Sequence, residues 1–200
     1  MASSASVEKF PIEDAMVWVD CEMTGLGVNQ GHRLLEVAVI VTDKSLSRVI
    51  KGPELIIHQN EESLDGMNDW CKNMFGWRSR NDFDDDNLAA ASLKSKISEE
   101  QAEEIIMEFL RPLVPEKKAV LAGNSVHVDR QYLEKFMPNF IDYLHYRIVD
   151  VSTVKELARR WSPKIAEQLP WKKGKHRALE DIEESIDELR FYQQNFFKLD

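Results

Sequence analysis

The segment from Met16 to Gly25 places two carboxylates at the end of an apolar run. Its sequence is Met-Val-Trp-Val-Asp-Cys-Glu-Met-Thr-Gly, in which one residue separates Asp20 from Glu22. Because side chains alternate between the faces of a β-strand, this spacing directs both acids to one face and Cys21 to the other. Two like charges beside a buried strand are costly unless a cation lies between them. The segment therefore predicts a strand that ends at a divalent metal site, and solvated acids at a turn are the alternative.

Short runs of apolar and β-branched residues predict five strands. The first three are joined by short connections, which favours an antiparallel meander. Pro53 lies within the third run, which favours an edge position or a bulge there. Helical patterns separate the later strands, so the predicted class is α/β. The predicted strands cover residues 15–20, 33–43, 49–58, 119–122 and 146–151.

Apolar residues at three- and four-residue intervals, together with capping patterns, predict the helices. Ser98 and Gln101 form a capping box at the start of one helix, and Ser152 is the predicted cap of another. Residues 76–87 have no period and include three consecutive acids, Asp84 to Asp86, which are predicted to be solvated rather than cation-binding. The predicted helices cover residues 61–75, 98–113, 128–137, 152–161 and about 178–197.

The length of 200 residues suits one domain, predicted at residues 15–200 after a flexible tail at residues 1–14. No apolar run approaches the roughly 20 residues that cross a bilayer, so no membrane partner is expected. The tail has neither the apolar stretch of a signal peptide nor the Arg-rich character of a transit peptide. Cys21 and Cys71 suggest neither a disulfide framework nor a metal spacing. A cytoplasmic location is expected, with mitochondria as the alternative.

The net charge of −9 argues against an indiscriminate binder of long nucleic acid, which is normally basic over its footprint. The charge is unevenly distributed, because residues 147–177 contain nine Lys and Arg against three Asp and Glu, a net of +6. A local basic segment on an acidic chain fits a small anionic ligand better than a long polyanion. A solvated helix face followed by a loop is the alternative explanation.

Two later segments add acids to the opening pair. Asp129 follows the fourth predicted strand at the start of a helix, where it could be a helix cap or a metal ligand. His176 and Asp181 are five residues apart and would point about 140° away from each other on one helix. His176 is therefore placed on the preceding loop and Asp181 inside the helix, so that both side chains can face one cleft.

The order Asp-x-Glu, Asp, His-x4-Asp resembles the three motifs of the DEDD-type exonucleases, in their His-containing branch. The resemblance extends over almost the whole chain, from residue 15 to residue 197, and is closest to the members that degrade very short RNA. The segments that carry it are Val17–Leu26, Asp69–Lys72, Ala122–Ser125, His145–Arg147, Asp150–Leu157 and His176–Asp181.

Membership of this family implies a ribonuclease H-like fold, a five-stranded mixed sheet flanked by helices. It also implies two divalent metal ions held by the four acids, and oxygen-only ligands suit Mg²⁺ or Mn²⁺. Two such ions can assist hydrolysis of a phosphodiester by an activated water. His176 is the implied general base, since a neutral imidazole can accept the proton of that water. The implied metal ligands are Asp20, Glu22, Asp129 and Asp181.

The resemblance further implies 3′–5′ hydrolysis of short single-stranded RNA, of two to five nucleotides, by a homodimer. Leu26 would separate two bases and Trp70 would stack on one, although Trp70 could equally be a core residue. Ser125, Tyr146 and Arg147 would close over the 5′ phosphate, the last two from the second subunit. The alternatives are an exonuclease acting on longer RNA or single-stranded DNA, and a binding module without activity.

One position departs from the family pattern. The family has a histidine five residues after the tryptophan, where it helps to hold the 5′ phosphate, and this chain has Phe75. The loop that follows is also about eight residues longer than is usual in the family. We expect either a weaker phosphate end or replacement of the histidine by Arg78 or Arg80.

Overall fold

A computed structural model describes residues 11–77, 87–169 and 177–198. Within these ranges the strands are β1 (Met16–Met23), β2 (Leu34–Thr42), β3 (Val49–Ile56), β4 (Val120–Gly123) and β5 (His145–Asp150). They form one sheet in the order β3–β2–β1–β4–β5. The first three strands pair antiparallel, whereas β4 pairs parallel with both β1 and β5. This is the mixed sheet predicted from the sequence.

The sheet is covered by helices on both faces, which explains why all nine residues of β2 are buried. Val17, Val19 and Cys21 belong to the apolar cluster on one face, and Met16 and Trp18 belong to the cluster on the other. The alternation predicted for β1 is therefore confirmed. Asp20 and Glu22 continue the Trp18 side, opposite Cys21.

Strand β3 forms an edge of the sheet, as Pro53 predicted. The pairing of β2 with β3 is irregular between Ala38 and Ile40, where the neighbouring strand carries Gly52. A Cβ atom at Gly52 would lie only 2.7 Å from the backbone oxygen of Val39, so this close approach requires glycine.

The α-helices in the described ranges are α1 (Glu61–Asp65), α2 (Asp69–Phe75), α3 (Leu88–Lys94), α4 (Glu99–Leu110), α5 (His127–Phe136), α6 (Pro138–Tyr143), α7 (Val151–Trp161), α8 (Pro163–Ala166) and α9 (Ala178–Asn195). The capping box of Ser98 and Gln101 is confirmed at the start of α4. Helices α3, α6 and α8 are not predicted by the sequence patterns.

The prediction of a single helix over residues 61–75 is wrong, because the first helix ends before Gly66 and a second helix begins at Asp69. The Asn60 side chain accepts the N–H of Ser63 at 2.9 Å, and that of Asn68 accepts the N–H of Cys71 at the same distance. Each asparagine satisfies a free donor in the first turn of its own helix. The apolar spacing continues across the break, which is why it indicated one helix.

Smaller corrections concern helix ends. The cap of α7 is Asp150 rather than Ser152, since the Asp150 carboxylate accepts the N–H of Ser152 at 2.9 Å. Helix α4 ends at Leu110 rather than near Leu113, and α9 ends at Asn195.

Ile12 lies within the predicted tail, yet it is buried and its N–H donates to the carbonyl of Leu113 at 2.8 Å. The packed part of the chain therefore extends at least to Ile12.

Residues 78–86, with Arg78, Arg80 and the acids Asp84 to Asp86, lie outside the described residues. The two flanks of this segment meet, because the Asn87 side chain donates to the Gly76 carbonyl at 3.0 Å.

Cys21 and Cys71 are free thiols, and both are buried. None of the helices described has the length and apolar character needed to cross a membrane.

Candidate active site

Three carboxylates from two elements converge at the end of β1. Asp20 and Glu22 come from the strand, and Asp181 comes from the first turn of α9. One ligand atom of each lies within 4.8 Å of the others, which is a spacing that one cation can bridge. The pairing of β1 with β2 becomes irregular directly after Glu22, one residue before the strand ends at Met23. The predicted convergence of these acids is therefore seen in the geometry.

Asp129 approaches the same point from the other side of the sheet. It lies in the first turn of α5, is buried, and its Oδ1 accepts the backbone N–H of Cys21 at 2.9 Å. Cys21 is the residue between Asp20 and Glu22, so Asp129 is held against the middle of the acidic pair. Asp129 is not part of the group of three carboxylates, but it borders that group.

Burial and mutual repulsion disfavour the charged forms of these acids. Burial, and then the charges of Asp129, Glu22 and Asp181, raise the pKa of Asp20 well above its ordinary value. Burial and the Asp181 charge raise the pKa of Glu22 to about 8. Burial also raises the pKa of Asp129 to about 7, although the hydrogen bond from Cys21 opposes the shift. A divalent cation would remove this penalty, and a donor set of oxygens alone fits Mg²⁺ or Mn²⁺.

His176 lies outside the described residues. The residue after it, Arg177, is described and forms an ion pair with Glu36 of β2. Glu36 is not among the site residues that the sequence predicts. The signal was a single acid inside the apolar run Leu-Leu-Glu-Val-Ala-Val-Ile-Val, because a charge in a buried strand is rare unless it is paired.

Leu26 occupies the tip of the turn that follows β1 and is 78% exposed. Two side chains of α5 hold this turn: the Tyr132 hydroxyl donates to the Gly25 carbonyl at 2.7 Å, and the Lys135 ammonium donates to the Val28 carbonyl at 2.9 Å. The exposed leucine is thus carried by a backbone that these two hydrogen bonds hold in place.

Trp70 lies in the first turn of α2 and is 58% exposed, so the alternative that it is a core residue is wrong. Phe75, five residues later, is buried with Leu64, Cys71 and Leu88. It therefore cannot contact a phosphate at the surface in place of the histidine that the family has.

Ser125 follows β4 with a left-handed backbone (φ 52°), and its N–H donates to the side chains of Asp150 and Ser152 at 2.9 and 3.0 Å. Tyr146 is 69% exposed on β5, and the Arg147 guanidinium lies 5.4 Å from its ring. Tyr146 and Arg147 thus form an exposed patch with an aromatic face and a positive charge, whereas Ser125 lies at the opposite end of β5, beside Asp150.

The structure does not bring Tyr146 and Arg147 to the carboxylates of the same chain. Val120 of β4 pairs with Met16 on one side and with His145 on the other. Tyr146 is therefore near the level of Met16, four residues or roughly 13 Å along the strand direction from Asp20, and two strands away, which adds about 10 Å sideways.

Comparison with known proteins agrees with the geometry. The family model of the RNase T exonuclease domain matches residues 17–189. Human mitochondrial oligoribonuclease is 49% identical over 183 residues, which is 92% of this chain and 73% of the relative. The oligoribonuclease of Chromobacterium violaceum is 44% identical over 184 residues, 92% of this chain and 96% of the relative.

Solved structures of exonuclease I share the fold. That from Methylocaldum szegediense superposes with a TM-score of 0.63 at 18% identity, over 91% of this chain and 41% of the other. A second exonuclease I gives a TM-score of 0.65 at 15% identity, also over 91% and 41%. This chain thus spans less than half of those longer proteins. The ribonuclease H-like fold predicted from the sequence is confirmed.

Proposed function

Because this chain belongs to the oligoribonuclease family of exonucleases, we propose that it hydrolyses very short RNA from the 3′ end and releases nucleoside 5′-monophosphates. The observation that carries the proposal is the convergence of Asp20, Glu22 and Asp181 within 4.8 Å at the end of a buried strand. A cation would compensate the repulsion within such a group of acids when they are charged, and phosphodiester hydrolysis uses cations of this kind.

In the proposed site Asp20, Glu22, Asp129 and Asp181 hold two divalent ions, Mg²⁺ or Mn²⁺. When bound, the ions supply a more acidic water and neutralise charge on the leaving oxygen. The four carboxylates would position the ions rather than the phosphate, which carries charge of the same sign as theirs, and the hydrogen bond from Cys21 holds Asp129 in place. His176 accepts the proton of the attacking water, and this role rests on the family motif alone.

The proposed substrate contacts lie beside this centre. Leu26, exposed on its fixed turn, separates the last two bases, and the exposed ring of Trp70 stacks on one of them. Both side chains leave water when RNA binds, so each contributes to affinity without being needed for folding.

We further propose that the working unit is a homodimer. The family resemblance assigns Tyr146 and Arg147 to the 5′ phosphate, and their exposed positions on β5, far from the carboxylates of their own chain, support a contribution from a second subunit. With Ser125 they would close over the 5′ phosphate and restrict the substrate to two to five nucleotides. A ligand this short makes few phosphate contacts, which suits a chain with a net charge of −9.

The cellular location has two candidates. The human relative is named as a mitochondrial protein, so mitochondria stand beside the cytoplasm favoured by the sequence. Imaging the chain with a fluorescent protein fused to its C-terminus distinguishes them.

The proposed activity is tested with a 5′-phosphorylated RNA dinucleotide, with Mg²⁺ or Mn²⁺ and with a chelator. We expect metal-dependent release of monophosphates, lowered about 100-fold or more by Asp181→Asn. The matched control is Asp187→Asn, an exposed acid of the same helix, which should leave turnover unchanged. Hydrolysis that survives the chelator, or equal turnover by the two variants, would contradict the proposal.

A further inference from the structure

Glu36 is a fully buried acid in the middle of the sheet, and it lies directly opposite Glu22 in the antiparallel pair of β1 and β2. Side chains that are directly opposite share one face of a sheet, and like charges in this position are destabilising. A buried carboxylate with such a neighbour persists only where other groups compensate its charge and use its oxygens.

Both oxygens of Glu36 are engaged by the start of α9. Arg177 donates to the carboxylate through Nη2 at 2.9 Å and through Nε at 3.2 Å. The backbone N–H of Ala178 donates to Oε2 at 3.1 Å. Arg177 also lies 3.5 Å from Glu54 of β3. Glu36 is thus bound to the end of the helix rather than oriented as another member of the acidic group.

Helix α9 has no cap of its own. Arg177 stands at the cap position, and its side chain makes no capping hydrogen bond within the helix. Free N–H groups in a first helical turn need a partner, and an anion there is also favoured by the helix dipole. Glu36, 142 residues earlier in the chain, supplies that partner to Ala178.

The same turn carries a proposed metal ligand. The N–H of Asp181 donates to the carbonyl of Arg177 at 3.0 Å, so the residue bound by Glu36 is one helical turn from Asp181. The path from β2 to the acidic group is therefore short and made of direct hydrogen bonds: Glu36 to Arg177 and Ala178, and Arg177 to Asp181.

We propose that Glu36 and Arg177 are positioning residues, which fix the first turn of α9 so that Asp181 meets Asp20 and Glu22. The proposal rests on the proposed metal-dependent function and extends it to the metal geometry. Neither residue contacts the ion. Their contribution is that Asp181 is presented on a turn that is fixed before the metal binds, so no free energy of binding is spent on ordering it.

The test is direct Mn²⁺ binding without RNA, measured from the free-ion electron paramagnetic resonance signal, on Glu36→Gln and Arg177→Gln. We expect each variant to bind Mn²⁺ about tenfold or more weakly. The direction of each change in Mn²⁺ affinity is decisive, because the two variants change the local charge in opposite directions. If both residues acted only through their charge, Glu36→Gln would weaken binding and Arg177→Gln would strengthen it.

Two further variants complete the design. Glu54→Gln removes a second carboxylate from the Arg177 side chain without touching Ala178, and it should bind Mn²⁺ as the wild type does. The double variant of Glu36 and Arg177 should bind no more weakly than Glu36→Gln, since both changes break one linkage. Thermal melts establish that each protein is folded at the temperature of the titration.

Wild-type Mn²⁺ affinity in Arg177→Gln and Glu36→Gln, or tighter binding in Arg177→Gln, would overturn the proposal. Arg177 is at the surface, so its variant carries the test even where Glu36→Gln does not fold. Failure of the proposed function has a different signature: the wild type would bind Mn²⁺ and the variants would bind it weakly, while no protein hydrolysed RNA.

Discussion

Asp129 Oδ1 accepts the backbone N–H of Cys21 at 2.9 Å. The donor belongs to the residue between Asp20 and Glu22, so the start of α5 is attached to the point of β1 that carries these two acids. The bond joins residues 108 positions apart and is buried. The relative placement of three acids is consequently set by strand and helix backbones rather than by a loop.

Asp129→Asn is expected to remove activity while it preserves the fold. The amide oxygen can still accept the Cys21 N–H, but the charge available to a cation is lost. We expect at least about 100-fold lower turnover of a dinucleotide with little change in the melting temperature. The control is Glu134→Gln, an exposed acid of the same helix that pairs with Arg130. Similar activities of the two variants would exclude Asp129 from the metal site.

The metal-free protein is expected to lose stability as the pH rises. Folding raises the pKa of Glu22 from its ordinary 4.5 to about 8, so the folded chain binds this proton more tightly than the unfolded chain. The stabilisation is complete below pH 4.5 and is lost as the pH rises through about 8. Each kcal/mol lost from the free energy of unfolding lowers the melting temperature of a chain of this size by about 2–4 °C.

Thermal melts at several pH values between about 5 and 8.5, with and without Mg²⁺, check this prediction. A bound cation replaces the proton, so the stabilisation by Mg²⁺ should increase with pH. Glu22→Gln should melt with a weaker pH dependence in the absence of metal. A metal-free melting temperature that is constant or rises over this range would show that the acids are already charged.

Leu26→Ala is expected to impair catalysis without affecting stability. The side chain is 78% exposed in the free protein and would be buried only between two bases. Burying a leucine contributes about 1.5–3 kcal/mol, so kcat/KM for a dinucleotide should fall about tenfold or more. Val49→Ala, another exposed apolar position, is the control for a general surface effect. A fall in melting temperature together with unchanged kcat/KM would assign Leu26 to folding instead.

Trp70→Ala should weaken RNA binding in proportion to the loss of one stacked base. Stacking contributes about 1–3 kcal/mol per base, so we expect the dissociation constant of a dinucleotide to rise by about 5- to 150-fold. The Phe variant retains a ring and should recover most of the affinity. Met74→Ala, on the same helix and 39% exposed, serves as the control. An Ala variant that binds like the wild type would leave Trp70 without a role in the site.

The sequence predicted the parts of the fold that local patterns determine. Alternation in β1 placed Asp20 and Glu22 opposite Cys21, and Pro53 placed β3 at an edge. The break between α1 and α2 is not predictable from this pattern, because the apolar spacing of residues 64–74 runs across it. Periodicity also could not decide whether Trp70 is a core residue or an exposed one, since both lie on an amphipathic helix.

Contacts between residues that are far apart in the sequence could not be predicted either. The pairing of Glu36 with Arg177 and Ala178 joins residues 141 and 142 positions apart, and no local pattern in either segment indicates the other. The isolation of Tyr146 from the carboxylates depends on the pairing of β4 with β5, which is set by tertiary packing. Such relationships emerge only when the sheet is assembled.

The most direct measurement is a timed digestion of labelled RNA of two to seven nucleotides, each with and without a 5′ phosphate, in Mg²⁺. We predict that the dinucleotide is hydrolysed fastest and that kcat/KM falls with each added nucleotide. Because Phe75 is buried, we expect only a weak preference for a 5′ phosphate. A strong preference would indicate that Arg78 or Arg80 replaces the histidine of the family. Equal kcat/KM at every length, or faster hydrolysis of the longest RNA, would contradict the account.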